Sequence, residues 1–253
     1  MAKSTLPRQA LIISSVLLAA TLLWAGDKPW NGKPYQSWDA KDVQQIMTDS
    51  PWVQITTVRR SWLPVAEKDV PPSQQIAGGV RSMPNANSPV QTNTETSNRE
   101  SEASTSLLHV YIYWYSSHAI RAASAREAVL HGAMNASGVE QFTNAPQAEY
   151  EIALRMDDMT PFMQKDEKFY QGNAFLEMRR SKLNLPPSKV LYERAGGTSV
   201  KDVVFFFPKK TSEGLPTIAG DETDVEFDCK IGDSTLRVGF KPKKMVDQFG
   251  ADL

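Results

Sequence analysis

Strict alternation of apolar and polar positions marks the end of the chain most clearly. Residues 224–231 and 234–241 both alternate, separated only by Gly232-Asp233. A two-residue hairpin loop fixes the register of the strands it joins. The pairs that follow are Cys229 with Leu236, Phe227 with Val238 and Val225 with Phe240 on one face, and Asp228 with Arg237 and Asp224 with Lys241 on the other. Apolar side chains meet apolar ones and opposite charges meet across the strands, which a one-residue slip would undo. Cys229 is therefore predicted to point into the core.

The same period of two recurs upstream. Residues 107–116 place Leu108, Val110, Ile112 and Trp114 on one face and His109, Tyr111, Tyr113 and Tyr115 on the other. Tyr150, Ile152, Leu154 and Met156 alternate with Glu149, Glu151, Ala153 and Arg155 in a second half-buried strand. Further strands are predicted at 173–181, 189–195 and 202–208, and residues 203–207 are apolar on both faces, which suits a central position. Helical spacing occurs in fewer places. Residues 118–134 are rich in alanine (Ala119, Ala122, Ala123, Ala125, Ala128) and suited to close packing on a sheet. Trp38, Val43, Ile46 and Met47 form a short apolar helix face that Ser37 or Asp39 can cap, and Pro51 forbids continuation past Ser50. Trp52 to Val58 then reads as a strand, and Thr160-Pro161 as the cap and first-turn proline of a short helix. About eight strands and two or three helices, without a βαβ rhythm or an internal repeat, predict a mainly β or α+β fold. The architecture expected is an antiparallel sheet or β-sandwich with a packed helix and a C-terminal β-hairpin.

Two stretches stand apart from this pattern. Lys3 and Arg8 precede the uncharged run 10–25, which is followed by Asp27 and Lys28. A basic start plus a short apolar run is the pattern of an export signal, and the run is short for a membrane span. Cutting after Ala25 would place bulky Leu23 three residues back, so an uncleaved N-terminal anchor is the alternative; no Cys follows the run to carry a lipid. Residues 68–106 contain 22 Ser, Thr, Asn, Gln or Pro among 39 and no aromatic residue, a composition that cannot offset its own ordering entropy. The organisation expected is a signal peptide or anchor over 1–26, a helix–strand segment over 27–67 that docks on the main body, a disordered linker over 68–106, and a β-rich main domain over 107–253.

Composition narrows the function classes. One cysteine excludes a disulfide framework and zinc sites built on cysteine pairs, and the three histidines (109, 118 and 131) have no recognised ligand spacing. A net charge of −1 gives no global attraction to nucleic acid. No cofactor is expected, and contact with a membrane is expected only through residues 10–25 if they are retained.

The stretches Lys33-Pro34-Tyr35-Gln36-Ser37-Trp38 and Thr48-Asp49-Ser50-Pro51-Trp52 resemble a family of uncharacterised exported acidobacterial proteins, which open after the signal with a Trp-bearing helix and a Thr-Asp-Ser-Pro-Trp-like turn. Phe205-Phe206-Phe207-Pro208, followed by Val225-Glu226-Phe227, is also similar to that family. The resemblance implies a bacterial, exported protein and no particular activity.

Candidate chemistry is sparse. Asp157-Asp158 follows a strand and precedes a helix start, where paired carboxylates could do acid–base work but also suit a solvated turn. Ser116-Ser117-His118 sets a hydroxyl beside an imidazole, yet Ser117 also fits a helix cap and no G-x-S-x-G elbow exists. The Tyr111, Tyr113 and Tyr115 stripe is either a stacking platform or a face covered by a second layer. Trp30, Trp38, Trp52 and Trp62, four of the six tryptophans, either anchor the N-terminal segment or expose a patch for a partner. The candidate binding surface is thus Tyr111, Tyr113, Tyr115, Trp52 and Trp62, with no catalytic or metal residue assigned. The function expected is that of a non-catalytic exported protein, periplasmic or secreted, which binds a protein or cell-envelope ligand or serves structurally. The alternative is an exported hydrolase with Asp157, Asp158 and His118 as its least poor candidates.

Overall fold

A computed structural model describes residues 28–60, 62, 107–194 and 199–253. The apolar run 10–25 and the polar stretch 68–106 lie outside the described residues. The chain begins with a one-turn helix α1 (Pro29–Gly32), a 3-10 turn (Tyr35–Ser37) and helix α2 (Ala40–Asp49). Asp39 caps α2 reciprocally: its carboxylate accepts from the Asp42 amide and Asp42's carboxylate accepts from the Asp39 amide. Strand β1 (Val53–Arg59) follows, then β2 (Leu107–Trp114), helix α3 (His118–Leu130), helix α4 (Ala136–Asn144) and β3 (Glu149–Met156). Two short helices, α5 (Thr160–Gln164) and α6 (Glu167–Gly172), lead to β4 (Ala174–Met178), β5 (Leu183–Leu185), β6 (Lys189–Arg194) and β7 (Val200–Pro208). The hairpin β8 (Val225–Ile231) and β9 (Ser234–Phe240) and a small ribbon, β10 (Val246–Asp247) with β11 (Gly250–Ala251), complete the described fold.

The strands form two antiparallel sheets, one in the order β1-β2-β3-β7-β6 and one in the order β5-β4-β8-β9. Their inner faces pack together. Trp114 of β2 meets Phe240 of β9 edge to face, with ring centroids 5.2 Å apart, and Phe205 of β7 meets Phe227 of β8 at 5.1 Å. The hairpin register is Val225–Phe240, Phe227–Val238 and Cys229–Leu236, with Gly232 in the left-handed conformation (φ 57°) that the tight turn requires. Asp228 and Arg237 pair across it at 2.7 Å, while Asp224 and Lys241 fall beyond the paired segment. Cys229 is fully buried.

β1 joins β2 as an edge strand, from Val53 opposite Tyr113 to Arg59 opposite Leu107. β3, not β7, occupies the middle of its sheet; β7 is interior because β6 covers its other edge. Helix α3 stops at Leu130, short of residue 134, because Gly132 adopts φ 71° and the chain closes a Schellman motif: Gly132 donates to Val129 O and Ala133 to Ala128 O. α5 begins with Thr160 itself, preceded by Met159, and the Asp158 carboxylate takes the Thr160 amide in place of a Thr160 cap. α4, α6 and the three-residue β5 had no counterpart in the sequence pattern. Helices α2 and α3 lie on the outer face of the five-stranded sheet, and α4 packs against α3. That cover accounts for the burial of Ala153 and Val204, whose side chains point away from the inter-sheet core. Among the described residues no helix is long and apolar enough to cross a membrane.

Candidate functional site

Sheet register sets the floor of a groove between the helical layer and the outer face. Val53, Tyr113, Ala153, Val204 and Leu191 stand in one row across five strands. In the next row Arg155 lies beside Asp202, and the two form a bidentate pair, Nε to Oδ1 at 2.7 Å and Nη2 to Oδ2 at 2.8 Å. Tyr115 continues the stripe one pleat toward α3. The wall comes from α3 and its cap: Ser124, Glu127, Ala128 and His131 recur at i, i+3, i+4 and i+7, so they share one helix face. Ala133, Glu193, Lys201 and Met47 complete the lining of a hollow of about 370 Å³. A second hollow of about 480 Å³ runs between α2 and α3 and borders the first at Met47, Glu127 and His131.

Burial, the dominant influence, raises the phenol of Tyr113, opposed by Arg155 and aided by Asp202. The same desolvation raises Tyr115, supported by Glu193, Glu151 and Asp202 and opposed by Ser124. Both hydroxyls therefore stay protonated as donors through the neutral range. The Asp202 hydrogen bond and charge raise the Arg155 guanidinium further above its ordinary value, against desolvation. Arg155 remains 43% exposed although its partner is buried. Its Nη1 hydrogens carry no partner among the described residues, which leaves two donors for a ligand.

The other candidates divide. Tyr113 and Tyr115 are half-buried and line the groove, whereas Tyr111, also half-buried, is not among its lining residues. Trp52 and Trp62 do not belong to a surface: they are 0% and 8% exposed, which corrects their inclusion among surface residues. The Trp52 indole donates to Asp252 O at 2.7 Å and the Trp62 indole to Asp158 Oδ2 at 3.0 Å, so both are anchors. Asp157 and Asp158 diverge. Asp157 accepts from the His109 amide at 2.8 Å and lies 3.0 Å from His109 Nδ1. Asp158 binds Arg60, Trp62 and the Thr160 amide, and is only 18% exposed, so it is a structural junction and not a solvated turn. His118 pairs through Nδ1 with Asp247 at 3.0 Å, far from either aspartate in the fold's connectivity. Ser117 Oγ is committed to the Ile120 amide as the cap of α3, so no nucleophile–imidazole pair forms there.

One carboxylate group escaped the sequence pattern. Glu177, Glu226 and Asp228 meet on the outer face of the four-stranded sheet, with ligand oxygens within 4.8 Å of one another. Arg237 Nε lies 2.7 Å from Asp228 Oδ1 and 2.9 Å from Glu226 Oε1, and Arg179 lies 2.6 Å from Glu226 Oε2. Guanidinium groups contact Asp228 Oδ1 and both Glu226 oxygens, Asp228 Oδ2 is buried without a hydrogen-bond partner among the described residues, and burial raises the Asp228 carboxyl, with Arg237 opposing. The group is an ion-pair network that ties β4, β8 and β9.

Glu127, Glu193, Lys201 and His131 entered the groove without any motif to announce them. Only the i, i+3, i+4, i+7 spacing from Ser124 to His131 was available in the sequence. Comparison of the chain with protein-family models, with curated proteins and with solved structures finds no match in any of the three.

Proposed function

We propose that this chain is a non-catalytic, exported bacterial protein that binds a ligand on the envelope side of the membrane, and that the groove over the five-stranded sheet is its binding site. The observation that carries this is the tyrosine floor: Tyr113 and Tyr115 present aromatic surface at the base of a hollow whose walls hold both signs of charge. Export is supported by Lys3 and Arg8 ahead of the apolar run 10–25 and by the resemblance of the Trp-bearing segment to exported acidobacterial proteins.

The test has two arms. Cells expressing the full chain are fractionated, and the protein is expected outside the cytoplasm; intact soluble protein in the cytoplasm would overturn export. The purified chain is then melted with and without soluble envelope extract. A ligand that binds only the folded state raises Tm, with about 2.7 kcal/mol of stabilisation at a hundred times Kd. Wild type should be stabilised, and Ala128→Trp, which fills the groove wall, should not. Equal stabilisation of both would place binding elsewhere. Turnover in a broad hydrolase screen would overturn the non-catalytic assignment.

A further inference from the structure

We propose that the ligand of this groove is a saccharide chain of low net charge; the proposal rests on the groove being the binding site. The lining combines two chemistries that a sugar ring needs together. A pyranose offers a C–H face, which packs on an aromatic ring, and an equatorial belt of hydroxyls, which pairs with fixed bidentate groups. Tyr113 supplies half-buried aromatic surface on the floor. Beside it the Arg155–Asp202 pair is locked at 2.7 and 2.8 Å, so its free guanidinium donors are held in a fixed plane before any ligand arrives. Glu127 and Glu193 stand exposed at the margins as acceptors.

Charge and shape discriminate against other ligands. Arg155 and Lys201 face Asp202, Glu193 and Glu127, so two cations stand against three carboxylates. A polyanion or a polycation would meet as much repulsion as attraction along this lining. The neighbouring hollow between α2 and α3, which borders this one at Met47, Glu127 and His131, offers space for a further residue of a polymer. A peptide is the rival. Peptide recognition draws affinity from an added β-strand or a deep apolar anchor pocket. The groove floor is the face of a sheet and not its edge, and beyond the two tyrosine rings its apolar lining is Met47 with the short Ala128, Ala133, Ala153 and Val204 side chains.

The experiment titrates the full chain with chitotriose, cellotriose and maltotriose, and in parallel with a panel of neutral tripeptides, followed by calorimetry and by amide shifts. Saturable binding of at least one trisaccharide is expected, with shifts at Tyr113, Ala153 and Val204. Tyr113→Ala should weaken it about tenfold, whereas Tyr113→Phe, which keeps the ring, should weaken it much less. Glu193→Ala is on an exposed edge strand and leaves the core intact, so it tests the polar margin even if Tyr113→Ala folds poorly; it too should weaken binding. Tripeptides shifting these residues while no trisaccharide does would overturn the saccharide assignment and leave the groove as the site. No trisaccharide binding together with extract stabilisation that Ala128→Trp abolishes would do the same. Failure of the extract to stabilise wild type would overturn the groove itself.

Discussion

The Trp52 indole donates to the backbone carbonyl of Asp252 at 2.7 Å, joining residues 200 positions apart in a fully buried contact. The Asp252 carboxylate at the same time accepts from the His118 amide at 2.6 Å and the Ala119 amide at 3.0 Å. One residue therefore holds the turn before β1 and supplies two of the acceptors that the first turn of α3 lacks. Gln248, in the small ribbon just before it, donates to Trp30 O and extends the same junction.

Asp252→Ala strands two amides at the start of α3 and should cost about 1–3 kcal/mol, the range for a lost cap or an unsatisfied buried donor. Trp52→Phe removes the five-membered ring of a fully buried indole and orphans the Asp252 carbonyl, so its cost, on the order of 2–4 kcal/mol, combines a cavity with an unpaired acceptor. Urea unfolding followed by circular dichroism should show a lower midpoint at unchanged slope for both. An unchanged midpoint for Asp252→Ala would mean that water replaces the carboxylate without loss.

The inter-sheet core predicts a larger effect at Phe227. Its ring packs 5.1 Å from Phe205 and 6.3 Å from Phe207 of the opposite sheet, with no exposed surface. Phe227→Ala should cost about 3–5 kcal/mol, a large part of a typical stability of about 5–15 kcal/mol. Thr235→Ala, on the outer face of the neighbouring β9, should stay within about 0.5 kcal/mol. Thermal melting of the two variants side by side checks both the burial and the hairpin register, since a slip of β9 by one residue would turn Thr235 into the core and make its loss costly.

The hairpin was legible because three local signals agreed: strict alternation on both strands, a two-residue turn with Gly232, and the Asp228–Arg237 charge match. The α2 cap was legible only as a choice between Ser37 and Asp39, and the reciprocal bonds with Asp42 select Asp39. The groove was legible only in its floor. Tyr113 and Tyr115 share a face by period two, but Ala153, Arg155, Asp202 and Val204 reach them through pairings of strands far apart in sequence, which no local pattern encodes. Asp158 looked like turn chemistry because its partners, Arg60 and Trp62, lie almost 100 residues away. Helix α4 was missed because Gly138 and Thr143 lower its helix propensity, although Asn135 caps it by accepting from the Gly138 amide.

Cys229 provides a reporter for this packing. It is completely buried, and burial, aided by the neighbouring Asp228 charge, pushes its thiol far above the ordinary range. The thiolate is the reactive form, so the native protein should resist an aromatic disulfide reagent for hours. Labelling should accelerate together with the loss of circular dichroism as denaturant is added. Stoichiometric labelling in native buffer would show that β8 opens locally or that Cys229 is not in the core.

Asp158 predicts how acid acts on the fold. Burial, the largest single influence, raises its carboxyl, but the Thr160 side-chain and backbone hydrogen bonds, the Trp62 indole and the Arg60 charge outweigh it, and the net shift is downward. The folded state therefore holds fewer protons at this site than the unfolded chain as pH falls below about 4. Its stabilising contribution is present in full above the unfolded value and is lost as pH drops through that value toward the folded one. Asp252 and Asp228 have the opposite sign, because burial raises both and their ionisation costs stability as pH rises. Subtracting the acid titration of Asp158→Asn from that of wild type removes those shared contributions. The variant should be less stable at neutral pH by about 1–3 kcal/mol, since three donors lose a charged acceptor. The gap between the two proteins should then narrow from about pH 4 downward. A gap that stays constant down to pH 2 would mean that the Asp158 carboxylate is not held below its ordinary range, and that Arg60 and Trp62 are anchored by packing alone.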